Sequence, residues 1–136
     1  MNAIANIKKA ISISGAEVLM LTTYTDAINS MSALGVISAN GGADFALLGR
    51  AFESIRQMCD QLEPLISRFD DDEHLPEAMK ATLTGFETIS VLAALVMMSI
   101  PNNPSIQILS VAFEKICHTS ALLLDLLARL ELEVVL

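Results

Sequence analysis

The segment at residues 89–100, ISVLAALVMMSI, decides how this chain folds. No Asp, Glu, Lys or Arg occurs between Glu87 and Glu114. Read as a helix, the segment is apolar or small on every side, which is typical of a helix that is covered all round. It is shorter than the roughly 20 apolar residues that cross a bilayer, so it predicts no membrane span. We therefore expect protein to cover it, either the rest of this chain or a second copy.

Apolar residues recur at alternating spacings of three and four before and after this segment, which predicts four amphipathic helices. The predicted helices cover residues 2–34, 43–69, 76–99 and 104–134. Short connections join them at residues 39–42, at the acidic run of residues 70–73 and at residues 101–105. Long helices with short connections predict an all-α fold, an antiparallel four-helix bundle in a single domain of residues 1–136.

Glycine and proline mark the points where these helices are expected to bend or end. Glycine inside a helix costs about 1 kcal/mol relative to alanine, so we expect a kink or break near Gly15. Pro64 removes a backbone donor and clashes with the preceding turn, which predicts a kink or a short break there. The first helix is expected to end over Gly35, Asn40, Gly41 and Gly42, because glycine suits helix ends and turns. Val36 and Ile37 then either continue the helix or pack in the turn.

The overall charge limits the class of partner. Eight Lys and Arg residues stand against sixteen Asp and Glu residues, which gives a net charge of −8. Nucleic-acid binding depends on basic side chains that neutralise phosphates, so this balance predicts no direct nucleic-acid binding. It is compatible with a basic protein partner. The first residues carry no ordinary signal peptide, and we expect a cytoplasmic protein.

The sequence contains no recognisable motif for a metal, a cofactor or catalysis, and we expect none of the three. Gly41-Gly42 matches neither a P-loop nor a dinucleotide fingerprint. The four acids at residues 70–73 lack the spacing of a calcium-binding loop, which leaves a solvated capping loop or a patch for a basic partner. Cys59 and Cys117 have no metal-type spacing and are expected to be free, buried thiols.

Glu114 and His118 lie four residues apart and share a face of the fourth helix. Such a pair could bind a metal, or act as a base and its orienting group. A metal site needs three or four ligands, so a surface ion pair is the simpler interpretation. An enzyme with a site on the fourth helix is therefore an alternative hypothesis.

The main functional clue is apolar surface that a lone bundle does not require. The third predicted helix and residues 121–136 exceed the single apolar stripe of a bundle helix. Exposed apolar patches larger than a few hundred Å² mark interaction sites. The candidate interaction surface consists of seven apolar and three acidic residues: Leu92, Leu95, Val96, Met97, Met98, Leu122, Leu126, Asp70, Asp71 and Asp72.

These features favour a non-enzymatic protein-interaction module that binds, chaperones or inhibits a partner protein and forms a homodimer. The partner would be basic or would present an amphipathic helix. An alternative is a bundle that binds a lipid or an apolar small molecule in a cavity lined by Met97, Met98, Phe113 and Ile116. In size and composition the chain resembles small acidic helical accessory proteins of bacteria, such as secretion chaperones, anti-activators and immunity proteins.

Overall fold

The computed structural model describes residues 14–42, 44–70, 77–102 and 104–135. These residues form four α-helices: α1 (Gly15–Asn40), α2 (Phe45–Asp70), α3 (Glu77–Ser99) and α4 (Ile106–Val135). A short 3₁₀ helix, Ile100–Asn102, follows α3. The predicted all-α four-helix bundle is confirmed.

Contacts between distant parts of the chain show how the helices run. Asn29, near the middle of α1, donates a hydrogen bond to Ser120 of α4. Asn40, at the end of α1, instead accepts one from Ser110, close to the start of α4, so α1 and α4 are antiparallel. The most extensive contact is between α1 and α4, while α3 packs on α4 and α2, and α2 on α1. The chain therefore passes round the bundle in order, and the last helix returns to the first.

Three buried phenylalanines, Phe52, Phe86 and Phe113, are the largest side chains of the described core. Phe52 of α2 and Phe113 of α4 stack across the bundle, with ring centroids 3.9 Å apart and an interplanar angle of 20°. From the segment at residues 89–100, Ile89 and Ala93 are fully buried. The core therefore takes one face of α3 and leaves the opposite face uncovered.

The start of α1 is set by a capping box rather than by the helix-breaking tendency of Gly15. Ser14 Oγ accepts a hydrogen bond from Glu17 N at 3.1 Å, and Glu17 Oε1 accepts one from Ser14 N at 3.1 Å. This reciprocal pair satisfies two backbone donors that the first turn leaves without partners. The remainder of the predicted first helix, residues 2–13, lies outside the described residues.

The predicted end of the first helix at residue 34 is wrong, because α1 continues through Gly35, Val36 and Ile37 to Asn40. Gly35 is buried, and a Cβ added to it would lie 2.7 Å from Phe113 Cγ. Its role is to let the Phe113 ring approach the backbone of α1. The turn after α1 is made by Gly42, whose φ of 85° favours glycine.

The short break expected at Pro64 is also absent, since α2 is continuous through this residue. Pro64 is exposed, and the flanking Leu62, Leu65 and Ile66 are buried. The apolar contacts of those neighbours hold the helix together where one backbone hydrogen bond is missing. The acidic run was expected to be a loop, but its first residue, Asp70, is the last residue of α2.

Side-chain caps shift two other helix starts by two residues from the predicted positions. α2 begins at residue 45 because Asp44 Oδ1 accepts a hydrogen bond from Leu47 N at 2.9 Å. α4 begins at residue 106, where Ser105 Oγ accepts from Ile108 N at 3.3 Å. The predicted cap of this helix, Asn103, lies outside the described residues.

An ion pair ties α1 to α2 near the start of α1, between Glu17 Oε2 and Arg68 Nη2 at 2.7 Å. The hydrogen bond from Arg68 lowers the pKa of Glu17 below its usual value, and the bonds to Ser14 act in the same direction, whereas burial opposes them. A carboxyl group whose pKa is lower in the folded than in the unfolded state stabilises the fold above its unfolded pKa. That contribution is lost as the pH falls through the folded-state pKa.

We therefore expect Glu17→Gln to be less stable than the wild type at neutral pH, and the difference to shrink as the pH falls below the unfolded-state pKa of about 4.3. The single amide oxygen of glutamine can keep the bond to Ser14 N, so the variant removes the charged contact with Arg68. Urea unfolding at several pH values measures the difference. Glu53→Gln, at an exposed position of α2, serves as the control. A Glu17→Gln deficit of the same size at every pH would contradict the assignment.

Candidate interaction surface

The charged side chains are concentrated at one end of the bundle. No Asp, Glu, Lys or Arg occurs at residues 27–43 or 88–113. The antiparallel arrangement brings these stretches of α1, α3 and α4 to the same end, together with the start of α2. The start of α2 adds only Asp44, Arg50 and Glu53 to that end. We call residues 27–53 and 88–113 the neutral end.

Large apolar side chains are exposed mainly at this neutral end. Eight of the eleven that are exposed among the described residues belong to it: Leu34, Ile37, Leu47, Val91, Leu95, Met98, Ile108 and Val111. The most exposed is Met98, at 73%. Single exposed apolar residues are normal on protein surfaces, but a group of this size at one end is a candidate interaction surface.

The structure divides the predicted interaction residues into several groups. Leu95, Met98 and Leu122 are exposed. Leu92, Met97 and Leu126 are partly buried against the core. Val96 is only 6% exposed and belongs to the core, so it contributes no surface. Asp70 ends α2, whereas Asp71 and Asp72 lie outside the described residues.

The sequence prediction missed the apolar surface that α1 and the start of α4 contribute. Leu34 and Ile37 of α1 are 62% and 67% exposed, and Ile108 of α4 is 56% exposed. The signal that could have found them is the absence of charge at residues 27–43, which matches the neutral stretch on α3 and α4. The antiparallel fold is what joins the two neutral stretches in space.

An open groove between α3 and α4 shows which exposed side chains of the two helices lie at the same level. Leu92 lines this groove opposite Glu114, Lys115 and His118. The two helices are antiparallel. One turn closer to the neutral end, Leu95 of α3 therefore lies beside Val111 of α4. The next turn brings Met98 to the level of Ile108. Together with Val91, these side chains form a surface that we call the apolar face: Val91, Leu95, Met98, Ile108 and Val111.

Glu114 and His118 lie at the border between this apolar face and the charged end. Both side chains are exposed and line the same groove. Among the described residues, no three His, Cys, Asp or Glu side chains lie close enough to hold a metal ion. The pair is open to water on the groove side, so it lacks the low-dielectric surroundings that strengthen catalytic groups.

The two cysteines are free and differ in environment. Cys59 is buried in α2, and this burial, with a smaller effect from Asp60, raises the pKa of its thiol to about 12. The thiol is therefore protonated and unreactive at neutral pH. Cys117 is partly exposed, and its carbonyl oxygen accepts a hydrogen bond from Asn29 Nδ2 at 3.0 Å. The same amide donates to Ser120, so this polar group joins α1 to α4.

The four side chains expected to line an apolar cavity do not face a common space. Phe113 and Ile116 are fully buried, and Phe113 stacks on Phe52. Met98 points to solvent, and Met97 is packed against the core. These side chains therefore fill the core or extend outward.

Within the part of the chain that the structure describes, one helix could cross a membrane by length and composition: Met79–Asn102, with 24 residues and a mean hydropathy of 1.8. Only 33% of its most apolar window is buried within the bundle. Residues 89–100 alone are too short to cross a bilayer, but the whole helix is long enough.

Comparison of the chain with protein-family models, with curated proteins and with solved structures gave no significant match. The feature to be explained is the neutral end, where apolar side chains are exposed and charges are scarce.

Proposed function

We propose that this protein is a helical binding module whose neutral end buries the apolar surface of a protein partner. The observation that supports it is the separation of exposed apolar side chains from charged ones along the bundle. An apolar surface of this kind loses unfavourable contact with water when a partner covers it. Chaperoning, sequestering and inhibiting a partner all require such a surface.

The charge distribution supports the same function. The neutral end contains one arginine and two acidic residues, so most of the net charge of −8 lies elsewhere on the chain. A strongly charged region keeps a protein soluble and opposes random association. A bundle with one charged and one apolar end can therefore expose a binding surface and stay dispersed until its partner arrives.

The arrangement also supports binding rather than catalysis. Enzymes hold their reacting groups in sites from which water is excluded, and they shift the pKa values of those groups by burial or by neighbouring charges. Glu114 and His118 lie exposed in an open groove. Cys59 lines a groove between α2 and α3, but its side chain is 4% exposed and burial raises the pKa of its thiol to about 12. Neither arrangement offers an activated nucleophile or a shielded base.

A photoreactive amino acid placed at Met98, in the full chain expressed in its native host, tests the proposal. We expect irradiation to give covalent adducts that contain a protein, because this side chain is 73% exposed at the neutral end. The matched control is the same amino acid at Ala128, an exposed position of α4 at the charged end. Adducts of equal yield at both positions, or adducts with lipid alone at Met98, would refute the proposed function.

A further inference from the structure

We infer that the apolar face, formed by Val91, Leu95, Met98, Ile108 and Val111, is the surface through which two copies of this chain form a symmetric dimer. The inference rests on the proposed function, because it identifies the partner that covers one face of the neutral end. A second copy is favoured by the shape of this face and by its lack of charge.

The apolar face presents a continuous stripe on two adjacent helices. Val91, Leu95 and Met98 follow the i, i+4, i+7 spacing that keeps side chains on one side of a helix. They are 50%, 57% and 73% exposed. Ile108 and Val111 extend the stripe across the groove to α4, at 56% and 48% exposure. Two such two-helix faces can pack together as the layers of a helical bundle do.

Leu95 is the middle residue of the stripe on α3, four residues after Val91 and three before Met98. The uncharged run that begins at residue 88 includes the rest of α3 and its 3₁₀ helix and continues to residue 113. In a two-fold dimer, a residue on the axis meets its own copy, and the other contacts occur in reciprocal pairs. An axis at Leu95 therefore places Val91 of one copy near Met98 and Ser99 of the other. No ionisable side chain of α3 then faces its counterpart.

Charge distinguishes a second copy from the other possible occupants. Two copies of net charge −8 repel each other, and the neutral stretch at residues 88–113 lets them touch without opposing carboxylates. A basic partner would find carboxylates only at the borders of this face, at Glu63 and Glu87 beside Val91 and at Glu114 on α4. Helices that lie on a bilayer use Lys and Arg beside the apolar face, often with Trp. Residues 88–113 contain none of these, nor the Tyr that is also enriched at membrane interfaces.

Two charge variants at the centre of the face, Leu95→Glu and Leu95→Lys, test the inference in the full chain. Sedimentation equilibrium is expected to show a wild-type dimer at micromolar concentration. Each variant alone should dissociate at least about 100-fold more readily, because like charges meet across the axis. An equimolar mixture of the two variants is expected to restore the dimer, because opposite charges then meet. Such rescue requires Leu95 to face its own copy.

Leu19→Glu is the matched control, because Leu19 is 65% exposed on α1 and lies outside the neutral end. It should remain dimeric, and circular dichroism should show unchanged helix content in all three variants. A monomeric wild type, a dimeric Leu95→Glu protein or a mixture without rescue would overturn the inference. So would co-sedimentation of a monomeric wild type with phosphatidylcholine vesicles.

The photoreactive probe at Met98 separates failure of this inference from failure of the proposed function. An adduct of twice the chain mass supports both. A monomeric chain that gives an adduct with a different protein overturns the dimer and retains the binding module. A monomeric chain that gives no protein adduct overturns both.

Discussion

Replacing Phe113 by alanine is expected to lower the free energy of unfolding by about 3–5 kcal/mol. The Phe113 ring is fully buried, stacks on Phe52 and lies against the backbone of α1 at Gly35. Three of the four helices therefore meet at this side chain, and its removal leaves a cavity that they cannot all close. Urea unfolding followed by circular dichroism measures the loss.

His118→Ala is the matched control on the same helix, because His118 is exposed. Its free energy of unfolding should stay within about 0.5 kcal/mol of the wild type. The same protein also bears on the enzyme alternative, since any activity assigned to Glu114 and His118 must disappear with the imidazole. A loss of less than about 1 kcal/mol in Phe113→Ala would show that the ring is not at the centre of the core.

The periodicity of apolar residues was sufficient to find α2 and α3 almost to the residue. Their predicted ranges were 43–69 and 76–99, and they span Phe45–Asp70 and Glu77–Ser99 in the structure. Both carry charged side chains opposite the apolar stripe in at least part of their length, and Pro101 marks the end of α3. Where polar residues identify the outer face of a helix, the spacing of its apolar residues is enough to predict its limits.

The limits of α1 were harder to predict because a glycine has two physical uses. It permits backbone conformations that other residues avoid, and it permits close approach of another group. The sequence around Gly35 does not show which use applies, because the deciding contact, with Phe113, comes from a residue far along the chain. The start at Ser14 was accessible from sequence, since Ser14 and Glu17 have the spacing of a capping box.

The sequence predicted that apolar surface would be left exposed, but it did not predict which residues would form that surface. A segment that is apolar all round gives no orientation, so Val96 and Leu95 were equivalent in the sequence although one is buried and the other exposed. The contribution of Leu34 and Ile37 depends on the contact of α1 with α4. Composition therefore reveals that apolar area is left over, and only packing reveals where it lies.

Gly35→Ala is the second large effect that we expect, a loss of about 1–3 kcal/mol in the free energy of unfolding. Alanine favours a helix over glycine by about 1 kcal/mol, so helix propensity alone predicts the opposite sign. The added methyl group would lie 2.7 Å from Phe113 Cγ, and the stacking of Phe52 on the ring restricts its retreat. Steric overlap at the contact of α1 with α4 therefore outweighs propensity, as thermal or urea unfolding would show.

Gly15→Ala is the matched control, because a Cβ at Gly15 has no neighbouring atom within 4 Å. Its stability should be unchanged or higher by up to about 1 kcal/mol. In a Phe113→Leu background the smaller side chain leaves room for a methyl group, so the cost of Gly35→Ala should shrink. The double-mutant cycle then gives a coupling energy between the two positions. An equal cost in both backgrounds would mean that Gly35 serves the backbone conformation of α1, and not the approach of Phe113.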